Sequence, residues 1–199
     1  MVNIFNKLIG GTAQAERLGK EAIELLDGWQ PNEALAKAQE ALAIDPDNGD
    51  ALSVCGFVYS SQKKHREALQ VYQRLQRLEP ESSDHWQCAG DEQRDLGQLE
   101  EAEASYRHGL TLSPTSLVFR CKLATTLRKL GRLEEAARML EAALALAATA
   151  TEGLYNLVLT LAVFNRDDAM PAILDRLEQV DPDQAREARR NLEVASLLT

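Results

Sequence analysis

The chain has 199 residues and a formal net charge of −9, with 45% hydrophobic but only 5% aromatic residues. That length supports one domain or a pair of small ones with a sizeable core, while the acidic balance argues against generic binding to nucleic-acid phosphates or anionic lipid. Ala and Leu are abundant, which favours helix, and few segments alternate as strands do.

The first predicted element is short. Ile4, Phe5, Leu8 and Ile9 fall at helical spacing before Gly10-Gly11, so residues 1–14 read as an amphipathic segment. It caps the helices that follow, docks into a groove of its own or a neighbouring molecule, or touches a membrane. The last is least favoured, because Lys7 alone offers little attraction to anionic lipid. The opening MVNIFNKLIGG lacks the pattern of a signal peptide, and no apolar run reaches about 18 residues. No integral membrane insertion and a cytoplasmic location are the expectations.

From residue 15 onward one period organises the chain. Pro46, Pro80 and Pro114 are 34 residues apart, and the same step reaches Ala148 and Pro182. Ala34, Ala68, Ala102 and Ala136 follow it, as do Gly56 and Gly90, Tyr72 and Tyr106, and Gly97 and Gly131. Several residue types share the step without an insertion, which marks internal repeats. The units are 15–48, 49–82, 83–116, 117–150 and 151–184, each with two helical stretches joined by a tight turn. In the third, Trp86, Ala89, Gly90 and Gln93 share one face, and Ala102, Tyr106 and Gly109 follow the Asp95-Leu96-Gly97-Gln98 turn. Pro31 and Pro171 suit the first turn of a helix. Thr149-x-x-Glu152 reads as a capping box, and Asp181-Pro182-x-Gln184 as a helix start. Residues 185–199 form a last helix, with Ala185, Ala188, Leu192 and Ala195 on one side to cover the final apolar flank.

Small residues at matched slots let two helices approach closely while a large partner side chain fills the remaining hole. With its 34-residue length, this pattern resembles the tetratricopeptide repeat family. The resemblance rests on Trp86, Gly90, Gly97, Ala102, Tyr106 and Pro114 in the third unit and on Gly56, Tyr59, Ala68, Tyr72 and Pro80 in the second, with Ala136 continuing the series. The first unit matches less well. The fifth departs most, with Val158 and Met170 in slots that are small elsewhere and Gly153 near its start, so looser packing is expected there. The resemblance implies an all-α, right-handed superhelical solenoid of five helical hairpins with capping helices at its ends.

It also implies that the first helix of each hairpin lines a concave groove. By slot, the partner-binding candidates are Phe57, Asp91, Arg94, Lys122, Thr125, Arg128, Lys129, Tyr155 and Leu159. Flanking slots hold Val54, Ser60, Ser61, Cys121, Asn156 and Val163. Arg94, Lys122, Arg128 and Lys129 are expected to form a basic patch. The two-carboxylate clamp of some co-chaperones in the family is not reproduced, because its slots hold residues such as Gly19, Ile23, Val54, Asp84 and Cys88.

Chemistry-bearing motifs do not emerge. There is no phosphate loop, zinc-protease helix or paired CxxC. His85 and Cys88 lack a third metal ligand, and Cys55, Cys88 and Cys121 read as small core-like residues rather than a disulfide framework. The expected function is therefore a non-enzymatic scaffold or chaperone-like adaptor that needs no cofactor or metal and holds a protein or peptide partner. The alternatives are a self-assembling structural protein and a bacterial secretion-type chaperone.

Overall fold

The computed structural model describes residues 2–147, 153–166 and 169–196, with side chains described for 11–147, 153–166 and 169–193. Eleven helices and no strand occur among the described residues. They are α1 (Val2–Asp27), α2 (Pro31–Ile44), α3 (Gly49–Ser61), α4 (His65–Leu78), α5 (Ser83–Asp95), α6 (Leu99–Leu112), α7 (Leu117–Lys129), α8 (Leu133–Ala147), α9 (Leu154–Val163), α10 (Met170–Val180) and α11 (Pro182–Ser196). Helices α3, α5 and α7 start 34 residues apart, and so do α2, α4, α6 and α8. Contacts gather into two units, Met1–Gln98 and Leu99–Thr199.

Local chemistry sets these boundaries. Pro31 and Pro171 stand in the first turns of α2 and α10, where the missing N–H leaves no hydrogen bond unmade. Asn48 Oδ1 accepts from Ala51 N at 2.9 Å to cap α3, and Ser116 Oγ accepts from Phe119 N at 3.4 Å to cap α7. Asp181 Oδ1 accepts from the N–H groups of Asp183 and Gln184, so α11 starts at Pro182, as the Asp181-Pro182-x-Gln184 pattern reads, and the last helix takes in residues ahead of 185. At the other end α1 continues through Gly10-Gly11 without a break. A helix-interior glycine costs about 1 kcal/mol but does not forbid the helix. The boundary expected after residue 14 is therefore unmarked. The capping box at Thr149–Glu152, the side chains of Ile4, Phe5, Leu8 and Ile9, and that of Ala195 lie outside the described residues.

Each hairpin turn uses one left-handed residue. Trp29, Lys63, Gly97, Gly131 and Asn165 have φ of 59°, 58°, 79°, 77° and 51° and stand 34 residues apart. The next residue's N–H reaches five residues back each time, as in Gln30 N to Leu25 O and Arg132 N to Leu127 O, both 2.9 Å. That bond closes the helix end. Only two of the five positions are glycine. A side chain in this region strains the backbone by about 1–2 kcal/mol, and glycine gives back part of that through the freedom of its unfolded state. Lys63→Gly is therefore expected to stabilise the protein by about 0.5–1 kcal/mol, read as a higher urea midpoint with unchanged slope.

In the first unit, Ala22, Ala34, Ala38, Ala41 and Ala51 are fully buried and bring α1, α2 and α3 together around Leu18, Val54, Cys55 and Val58. A second cluster joins Leu52 of α3 to Ala68, Leu69, Tyr72 and Leu75 of α4 and Ala89 of α5. A Cβ on Gly56 would stand 2.8 Å from the Tyr72 ring, so the glycine is the slot that the tyrosine fills.

In the second unit, Ala102 and Tyr106 of α6 pack with Phe119 and Leu123 of α7. A larger cluster unites Leu117, Leu140, Leu157, Val158, Leu161, Met170, Leu174 and Leu177, with Ala185 and Ala188 of α11 closing its end. Val158 is 0% and Met170 8% exposed, so the two large residues expected to loosen the fifth hairpin are part of its core. Gly153 is not inside a helix either. It precedes α9 with φ +79°, where a Cβ would meet Leu117 Cβ at 2.8 Å, so the helix-interior penalty does not apply.

Candidate partner-binding site

The slots expected to face a partner lie on α3 and α5 in the first unit and on α7 and α9 in the second. On α3, Phe57 is 55% exposed although Val54 and Val58 beside it are buried. The other apolar side chains of α3 are buried or half-buried, so Phe57 is the apolar residue this helix leaves in water. Val54 and Cys121, both flanking candidates, are buried in the core and leave the face.

Arg94 does not serve as an open cation. Its guanidinium pairs with Asp91 at 3.2 Å and with Asp95 at 2.9 Å, all on α5. The expected basic patch is thus reduced to the cations of α7. There Lys122 Nζ stands 5.9 Å from the Tyr106 ring centre, and the Arg128 guanidinium 5.9 Å from that of Phe164. Such stacking holds a cation in place without cancelling its charge. Lys129 is exposed. Thr125 Oγ1 donates to the carbonyls of Cys121 and Lys122 at 3.0 and 2.9 Å, which commits its proton to its own helix.

On α9, Leu159 is half-buried and Val163 is 43% exposed. Tyr155 is tied down by α11: its hydroxyl donates to Glu187 at 3.2 Å and accepts from Asn191 Nδ2 at 2.8 Å. Burial, and then the Glu187 carboxylate, raise its pKa, so the phenol stays protonated. The residue is half-exposed.

Two polar groupings were not foreseen. Glu92 of α5 is only 3% exposed, and accepts from Ser60 Oγ at 2.5 Å and contacts His65 Nδ1 at 2.7 Å. It fastens α5 to both helices of the preceding hairpin. Serine, histidine and a carboxylate together suggest catalysis, but the order is wrong for it. The serine hydroxyl donates its hydrogen bond to the carboxylate rather than to the imidazole, unlike a serine–histidine–carboxylate relay in which the imidazole stands between the two. In the second unit, Glu103 is shared by Arg107 at 2.8 Å and Arg132 at 2.5 Å, and both arginines also reach Glu135. Hydrogen bonding from Arg132 holds the Glu135 carboxyl below its ordinary range.

The cysteines show no reactive character in the two buried cases. Burial pushes the thiols of Cys55 and Cys121 up to about 11, which keeps them protonated at neutral pH. His85 bonds Glu79 at 3.1 Å rather than joining Cys88 in a metal site. Among the described residues no group of three or more His, Cys, Asp or Glu is placed to hold a metal ion, and no helix is long and apolar enough to cross a membrane.

The repeat pattern has counterparts in known proteins. Tetratricopeptide repeat models match residues 25–88, 86–116 and 120–150. No curated protein matches the chain. Among solved structures, YrrB, described as a TPR protein with an unusual peptide-binding site, is 23% identical with a TM-score of 0.64, over 94% of this chain and 97% of its own. A thermophilic TPR protein of Thermus thermophilus, TTC0263, is 20% identical with a TM-score of 0.67, over 94% and 99%. MamA is 13% identical with a TM-score of 0.63, over 83% and 96%. At these identities the likeness concerns the fold.

Proposed function

Since the chain belongs to the tetratricopeptide repeat family, we propose that it is a non-enzymatic scaffold or adaptor that holds a segment of a partner protein along the first-helix faces of its repeats. The functional division that goes with this reading is five repeats over 15–184, with 1–14 as an amphipathic segment or cap continuous with α1 and 185–199, which opens within α11, as the C-terminal cap. The observation that carries it is the exposure of Phe57 on a helix whose other apolar side chains are buried or half-buried. A large apolar side chain left in water on a rigid helix is a ready anchor, because little ordering cost remains when a partner covers it. The peptide-binding site named for YrrB supports the same reading by analogy. A chain with buried, protonated thiols and no disulfide framework suits the cytoplasm.

The test is affinity capture of the tagged full-length chain from its native host, alongside Phe57→Asp and Arg128→Glu. Both side chains are exposed, so each variant is expected to keep the parent's helical circular dichroism and melting midpoint. The parent should retain a polypeptide partner that at least one variant loses. Identical captured sets from all three proteins would rule out these faces.

A further inference from the structure

The two long faces of the second unit differ in kind. Helix α7 carries Arg120, Lys122, Arg128 and Lys129 and no carboxylate, whereas α9 carries no charged residue. The 34-residue register matches Thr125 to Leu159 and Lys129 to Val163, and the two helices pack against each other. A cationic stripe therefore runs beside an apolar one. Arg120 is spent locally on the carbonyls of Ser116 and Pro114. Arg128 and Lys129 are exposed, and among the described residues neither is ion-paired with a carboxylate. Arg128 is also held by the Phe164 ring, which lowers the side-chain freedom its guanidinium loses when it binds.

Resting on the scaffold reading and deepening it, we propose that the α7–α9 face binds an extended acidic segment of a partner protein with Leu or Phe side chains spaced along it. Its carboxylates engage Arg128 and Lys129, and its apolar side chains lie on Leu159 and Val163. The net charge of −9 acts against such a ligand at long range. Salt screens that repulsion beyond about 8 Å. Inside that distance the exposed Arg128 and Lys129 of α7 dominate, and bidentate guanidinium–carboxylate contact adds direction. The same charge pattern disfavours a basic segment.

The experiment uses the full chain and a short fluorescein-labelled peptide in which Glu alternates with Leu and Phe. Matched peptides carry Gln or Lys in place of Glu, and binding is read by anisotropy. The acidic peptide should bind about tenfold or more tightly than the Gln peptide, and the Lys peptide more weakly still. Arg128→Glu/Lys129→Glu should abolish the acidic preference, while Arg138→Glu, a charge reversal at an exposed position of the second helix α8, should leave it intact. Equal binding of the acidic and Gln peptides overturns the proposal. So does an acidic preference that survives the double charge reversal, or no binding of the acidic peptide at all. In each of these cases, continued capture of a native partner that depends on Phe57 leaves the scaffold reading standing. Loss of that capture with the peptide preference intact removes the broader reading and keeps this one.

Discussion

Gly109→Leu is expected to destabilise the protein by about 3 kcal/mol or more. A Cβ at this position of α6 would fall 2.2 Å from Cε1 and Cζ of Phe119. Phe119 is 2% exposed and packed among Ala102, Tyr106 and Leu123, so its ring has no free space to enter. The helices must separate, and the apolar contact of α6 with α7 goes with them. Against a total stability of about 5–15 kcal/mol, such a loss leaves little margin. Urea unfolding followed by circular dichroism measures it. Removing the obstructing ring in Gly109→Leu/Phe119→Ala should restore part of the loss, giving a combined cost well below the sum of the single changes. A Gly109→Leu midpoint equal to that of the parent would mean that α6 and α7 are not in close contact.

Tyr106→Ala should cost about 3–5 kcal/mol, because it empties the largest fully buried side chain of the second unit. Leu110 and Met139 pack against the edge of its cluster and can fill only part of the void. Lys122 also loses the ring it stands over. Tyr106→Phe keeps the volume and the ring, and is expected to cost only about 1 kcal/mol. The gap between the two substitutions in chemical denaturation separates packing from the hydroxyl. Equal, small effects would place Tyr106 outside the core.

Both residues lie in the 34-residue pattern, and the fold was legible there for a physical reason. Tight helix contacts demand glycine or alanine opposite a large side chain, and demands of that kind recur visibly, as at Gly56 with Tyr72. The left-handed turn residues were legible only at Gly97 and Gly131. Trp29, Lys63 and Asn165 adopt the same geometry without the residue that signals it. Gly153 misled because a glycine one residue before a helix looks, in sequence, like one inside it.

The candidate faces were harder to read. Arg94 was expected to join a basic patch, yet Asp91 and Asp95 on its own helix engage it. Their spacing from Arg94 was a signal available in the sequence. The Glu92 link to Ser60 and His65 draws on three helices and has no local pattern. Its one trace is positional: the 34-residue register places Val58, Glu92, Thr126 and Thr160 in one buried slot, where a carboxylate stands out. Val54 and Cys121 were assigned to the partner face because a helix face has no sharp edge at the sequence level, and the structure turns both into the core.

The central claim is that the first-helix faces of the repeats hold another polypeptide, and photo-cross-linking in the native host tests it most directly. A photoreactive residue placed at Phe57, Thr125 or Leu159 is compared with one at Gln70 on α4 or Arg138 on α8, both exposed on second helices. The account predicts a discrete cross-linked polypeptide from the first set and none from the second. Cross-links from Gln70 and Arg138 alone, with none from Phe57, Thr125 or Leu159, would contradict it.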